Sequence, residues 1–160
     1  MEARFTKIYD KAIWGKNYKG EGGSGKGDGT SPDSTHYVKL IINFIQDNNI
    51  KTVCDIGAGD WKFSRFIPWA QMGITYTGVD VVKSVVDSNN EEHSSDYVSF
   101  VHGDILTFDC SGYDLVLIKD VLQHFKDLVE LHQKIIGYQV RDQSIINTLI
   151  TPCVVRENPS

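Results

Sequence analysis

Along the chain, apolar positions change their period several times. Phe5, Ile8, Tyr9 and Ala12 recur at helical spacing, which predicts a short amphipathic helix near the start. Ser31-Pro32-Asp33 is a helix-start signal, and Val38, Leu40, Ile41, Ile42, Phe44 and Ile45 give the following helix a broad apolar face that ends at Asn48-Asn49. Strands and helices then alternate. Thr52 to Ile56 reads as a buried strand and Trp61 to Trp69 as a helix stopped near Pro68. Tyr76 to Val79 reads as a second strand, followed by a helix through about Val86. Tyr97 to Val101 and Leu115 to Ile118 read as the third and fourth strands. Leu122, Phe125, Leu128, Val129, Leu131 and Ile135 predict an amphipathic helix over 122–136, and Ile145 to Thr151 a fifth strand halted by Pro152.

That alternation predicts an α/β fold: a mostly parallel, Rossmann-like sheet of about five strands with helices on both faces. Between the first two helices, Gly20 to Ser31 holds six glycines in twelve residues, a stretch that is costly to order and reads as a linker or as a flap over a polar ligand. The expected organisation is therefore an N-terminal helix with a glycine-rich flap over 1–31, and an α/β ligand-binding domain over 32–160.

Composition narrows the function. At 160 residues, the length suits one domain with a single core. A formal charge of −5 argues against a general nucleic-acid binder. No apolar run is long enough to span a bilayer, and Met1-Glu2-Ala3-Arg4 lacks the layout of a secretory signal, so a cytoplasmic protein without membrane partners is expected. Cys54, Cys110 and Cys153 form no CxxC pair, and His36, His93 and His132 show no ligand spacing, so no metal site is expected.

Candidate chemistry lies after the first strand, in Asp55-Ile56-Gly57-Ala58-Gly59-Asp60. A strand running into Gly-x-Gly lets the backbone approach a ligand closely. Asp80 follows the second strand, where a carboxylate can take both hydroxyls of a ribose. Lys62 stands where a dinucleotide fingerprint wants its third glycine, and no Tyr-x-x-x-Lys pair is present, which disfavours a nicotinamide-dependent reductase. Asp55, two residues ahead of the first glycine, would repel a pyrophosphate; it would suit an ammonium group or brace the turn.

Asp55 to Asp60 resembles the first motif of class I S-adenosylmethionine-dependent methyltransferases, Asp/Glu-x-Gly-x-Gly-x-Gly, with Trp61 in place of the third glycine. Tyr76-Thr-Gly-Val-Asp80, His102-Gly-Asp104-Ile105 and Tyr113 to Phe125 are similar to the second, third and fourth, in family order over residues 50–136. The resemblance implies a cofactor across the carboxyl ends of the strands. Asp55, Gly57 and Gly59 would surround its methionine and ribose portion, and Asp80 would hold the ribose hydroxyls. Val81 would pack on adenine, Asp104 and Ile105 would flank it, and Lys119 and Asp120 would face the sulfonium and the acceptor. A complete family core carries seven strands. Only 36 residues follow His124 (160 − 124), so the last two strands are expected to be lacking, and a natural minimal domain, a truncated chain and a sheet edge covered by another subunit, such as a second copy of the chain, are the competing readings.

Methyl transfer needs alignment, desolvation and, for some acceptors, a base. Asp120 and His124 stand four apart at a helix start, and His124 is the base candidate; packing or capping the helix is its other reading. Lys119 would orient an anionic acceptor or pair with Asp120, and Asp104 also reads as a turn cap. Trp14 and Tyr18 read as part of a lid over substrate or as helix packing. The expected function is methyl transfer from S-adenosylmethionine, with S-adenosylhomocysteine as product, to a small-molecule acceptor. The alternative is a non-catalytic S-adenosylmethionine-binding module that needs a partner subunit.

Overall fold

In the computed structural model the described residues are 2–17, 19–24, 32–121, 124 and 149–150. Helix α1 (Glu2–Asp10) leads into a turn and a small hairpin, in which Lys16 pairs antiparallel with Gly22. Helix α2 (Pro32–Asp47) buries Tyr37, Ile41 and Ile45, four residues apart and so on one face. It stops where expected: Asn49 takes a left-handed φ of 52°, and Asn48 Nδ2 donates to the Phe44 carbonyl at 2.9 Å.

Five parallel strands follow: β1 (Thr52–Ile56), β2 (Thr75–Asp80), β3 (Val98–His102), β4 (Leu115–Ile118) and β5 (Leu149–Ile150), in the order β3-β2-β1-β4-β5. This is the order of a doubly wound nucleotide-binding sheet, in which the chain starts at the centre and leaves for opposite edges from β3 and β4. The central strands carry apolar residues on both faces because both are covered. Val53, Tyr76, Leu115 and Leu117 belong to a core shared with Ile41 and Ile45 of α2, Trp69 of α3 (Trp69–Met72) and Val86 of α4 (Lys83–His93). Cys54, Ile56, Val79, Val116 and Ile118 form the other core with Ile105 and Cys110, and the Cys54 and Cys110 thiols lie 3.7 Å apart. No described helix is long and apolar enough to cross a membrane.

Two expectations change. Trp61–Trp69 is not a helix: Trp61 has φ +53°, a 3-10 turn spans Ser64–Phe66, and Pro68 precedes the one-turn helix α3. The segment is pinned to the sheet, which prevents it from winding. Ser64 Oγ donates to Asp55 at 2.8 Å, Trp69 Nε1 donates to the Ser64 carbonyl at 2.9 Å, and the Trp61 indole lies against Tyr76, Phe100 and His93. Helix α4 also runs past Val86 to His93, through a polar stretch with no apolar signal to announce it. The helix expected over 122–136, apart from His124, and the fifth strand beyond Leu149–Ile150 lie outside the described residues, as do glycines 25, 27 and 29 of the flap.

Candidate active site

The carboxyl ends of β1, β2 and β4 open into one cleft. The parallel arrangement places it there, at the centre of the sheet where the chain direction switches. Gly57 and Gly59 form its floor. Gly57 has φ +77° and donates its N–H to the Val79 carbonyl at 2.7 Å, so the turn after β1 is hooked onto β2. Gly59 has φ +56°, and its carbonyl accepts from Asn89 Nδ2 of α4 at 2.8 Å. A side chain at Gly57 would run into Val121. Backbone conformation and close approach together require glycine there.

Asp80 ends β2 with its carboxylate turned back on this turn. Its Oδ2 accepts from Gly59 N and its Oδ1 from Val82 N, both at 2.9 Å. Burial raises its pKa, while the N–H groups of Val82, Gly59 and Val81 and the nearby His102 pull the other way. A carboxylate offers about four lone-pair sites, so each oxygen keeps capacity for a ligand hydroxyl.

Asp55 lies elsewhere. It is 2% exposed, beneath the glycine turn rather than on the cleft wall, and its Oδ2 accepts from Ser64 Oγ and Tyr76 Oη at 2.8 Å each. Burial raises its pKa, and the Tyr76 and Ser64 hydroxyls and the Lys119 charge offset part of that. The structure gives Asp55 the bracing position of its two sequence readings.

Val81, Gly103, Asp104 and Ile105 line one end of the cleft. Asp104 also caps its turn, its Oδ1 accepting from Leu106 N at 3.0 Å, so its two sequence readings coexist. At the end of β4, the Lys119 ammonium lies 5.0 Å from the Phe63 ring centre and pairs with the Asp120 carboxylate. Asp120 has φ +57°, a strained backbone for a non-glycine residue, with its side chain 68% exposed. His124 also lines the cleft. Its ring stacks on Trp14 at 5.1 Å and meets Phe5 edge-on at 5.3 Å, and no hydrogen bond joins it to Asp120 among the described residues. Burial lowers its pKa, the Arg4 charge lowers it further, and Asp120 acts against both. The imidazole is therefore neutral near pH 7.

Of the site residues read from sequence, Gly57, Gly59, Asp80, Val81, Asp104, Ile105, Lys119, Asp120 and His124 share this cleft. The sequence reading missed Phe5, Tyr9, Ser24, Lys62 and Phe63, which also line it. The only signal for the first two was aromatic residues on a helix upstream of a glycine-rich stretch, a pattern equally expected of packing. Trp14 lines the cleft, and Tyr18 lies outside the described residues.

Residues 54–137 match the sequence profile of a methyltransferase domain, more than half of the chain. The chain belongs to the methyltransferase domain family. S-adenosylmethionine is the methyl donor of these class I enzymes. Solved structures agree at the level of fold. The plantazolicin methyltransferase BpumL in complex with S-adenosylhomocysteine superposes with a TM-score of 0.55 at 20% identity, over 66% of this chain and 42% of that one. The N-methyltransferase NodS from Bradyrhizobium japonicum WM9 superposes with a TM-score of 0.55 at 16% identity, over 69% and 62%. The chain thus spans less than two thirds of the length of either. No curated protein sequence matches it.

The cleft fits the cofactor of the family. Val79, Val81, Gly103 and Ile105 give the cleft lining apolar members, and a methyl on Gly103 would come within 3.0 Å of Val79 and Phe108. Asp80, Ser24 and Lys62 add polar groups to the same lining.

Proposed function

We propose that the protein transfers a methyl group from S-adenosylmethionine to a small-molecule acceptor. One observation carries this reading: the glycine turn, the Asp80 carboxylate and the Lys119-Asp120 pair all open into a single cleft roofed by aromatic residues. When bound, the cofactor supplies an activated methyl group on a sulfonium. The chain's own part is binding, orientation and exclusion of water. Asp80 accepts the ribose hydroxyls, Gly57 and Gly59 let the backbone lie against the cofactor, and Asp55 holds the glycine turn from below. Val81 and Ile105 pack on the base, and Asp104 fixes the turn that carries Ile105.

Lys119 and Asp120 face the acceptor, Lys119 holding Asp120 in its strained conformation. His124, neutral near pH 7, accepts a proton from the acceptor at the mouth of the cleft. Phe5 and Trp14 keep water from that end. The acid-leaning charge supports a small acceptor over nucleic acid; the cytoplasm is the proposed location. A second reading, a cofactor-binding module completed by a partner subunit or a second copy of the chain, draws on the His124 ring being held between Trp14 and Phe5.

The test is incubation with methyl-labelled S-adenosylmethionine and a panel of amine, phenol and carboxylate acceptors. Label appearing in one acceptor class supports the enzyme. Cofactor binding without label transfer to any acceptor, unless a partner protein is added, supports the second reading.

A further inference from the structure

The turn after β1 is held group by group. Gly57 N and Ala58 N both donate to the Val79 carbonyl, at 2.7 and 3.1 Å, and Trp61 N donates to the Ala58 carbonyl at 3.2 Å. Gly59 N donates to the Asp80 carboxylate at 2.9 Å. Those partners lie on β2 or in the turn itself. The Gly59 carbonyl is held differently, by Asn89 Nδ2 of α4 at 2.8 Å.

Local rules do not account for Asn89. Asparagine is a poor residue for a helix interior, because its side chain competes for backbone groups, and it is mostly found exposed. Here it sits midway along α4 and is 5% exposed. It lies between the second and third sequence motifs and is not among the residues that line the cleft. Gly59 does line the cleft. With φ +56° and no side chain, Gly59 places little restriction of its own on the two peptide groups that flank it. Asp80 fixes the one before it and Asn89 the one after it. Asp80 Oδ1 also accepts from Val82 N, immediately ahead of α4, so α4 is joined to Gly59 twice. Without the Asn89 amide, the buried Gly59 carbonyl would lose its partner. The peptide would turn to find another, and Gly59 N–H would move off the Asp80 carboxylate.

We propose that Asn89 is a positioning residue for cofactor binding: it fixes the Gly59 peptide and, through it, the aim of the Asp80 carboxylate in the cleft. The proposal rests on the S-adenosylmethionine reading of the cleft.

The neighbouring residue supplies the control. Asn90 Nδ2 donates to the Phe100 carbonyl of β3 at 2.8 Å, and its Oδ1 accepts from Phe100 N at 3.1 Å. Neither Asn90 nor Phe100 is among the residues that line the cleft. Asn89→Ala and Asn90→Ala therefore delete the same chemistry from the same helix, and only the first reaches the glycine turn.

The test is calorimetric titration of the full chain and of each variant with S-adenosylhomocysteine, at a temperature well below the lowest of their melting temperatures. Both variants are expected to melt earlier. Affinity should fall by about three- to tenfold in Asn89→Ala and stay unchanged in Asn90→Ala. Full affinity in Asn89→Ala would overturn the proposal alone. An equal loss in both variants would assign the effect to general loosening of α4 and overturn it as well. If Asn89→Ala does not fold, Asn89→Ser, whose side chain ends one bond short of the amide nitrogen, takes its place with the same expectations. An unaltered chain that binds no S-adenosylhomocysteine would overturn the cofactor reading, and this proposal with it.

Discussion

Asp80→Asn tests the junction of fold and site. The carboxylate joins the glycine turn to the start of α4 through Gly59 N and Val82 N, each at 2.9 Å. Asparagine keeps the shape but only one acceptor oxygen, and its amide turns N–H groups against the other donor. Losing one charge-assisted hydrogen bond costs about 1.5–3 kcal/mol. Relief of the buried charge, evident in the raised Asp80 pKa, offsets part of this. We expect a net loss of about 1–2 kcal/mol, which for this chain length lowers the melting temperature by about 2–8 °C. On the role proposed for Asp80, the loss in binding is larger, because the variant also loses the charged acceptor for the ribose hydroxyls. Affinity for S-adenosylhomocysteine should fall by about tenfold to a hundredfold. Thermal melts and calorimetric titration read the two effects separately. Unchanged cofactor affinity in a folded Asp80→Asn protein would refute the role given to Asp80.

Three further outcomes follow from the geometry. Gly57→Ala should cost about 1–3 kcal/mol and weaken cofactor binding, because its φ of +77° and the nearby Val121 both oppose a side chain; a melting curve within a degree of the unaltered protein would contradict this. Asp55→Asn should grow in stability relative to the unaltered protein as pH rises. The folded pKa of Asp55 lies above its ordinary 3.8, so its contribution to stability is greatest below that value and falls as pH rises through the folded pKa, whereas asparagine does not titrate. Paired melts at about pH 3.5 and about pH 7 check the sign, and a constant difference between the two proteins would count against the buried-charge account. His124→Ala should reduce turnover by about 10²–10⁴-fold if the imidazole is the base, with cofactor affinity little changed. The acid limb of the unaltered enzyme's rate profile should fall below pH 6.5, because the His124 pKa is lowered; an unchanged rate in the variant would remove His124 from the mechanism.

The parts of the fold legible in the sequence were those where one physical signal acted alone. Thr52–Ile56 and Leu115–Ile118 are central strands buried on both faces, and such runs have sharp ends. The helix stop at Asn48-Asn49 was legible because left-handed asparagine is a local device. Trp61–Trp69 misled because its apolar spacing is helical while its conformation is set by tertiary contacts, Ser64 to Asp55 above all, that lie outside any sequence window. In the site, the residues on the strand ends came with the motifs. Tyr9 did not, since its place in the cleft depends on where α1 lies relative to the glycine turn. Asp55 was placed by sequence next to the ligand or under the turn, and only its hydrogen bonds to Ser64 and Tyr76 decide between the two.

The central claim is that this cleft binds S-adenosylmethionine, and calorimetric titration of the purified protein with S-adenosylhomocysteine, run beside NADH, tests it most directly. The account predicts saturable one-to-one binding of S-adenosylhomocysteine, lost or weakened in Asp80→Asn, and no binding of NADH. Absence of binding by S-adenosylhomocysteine, or equal binding of NADH, would contradict it.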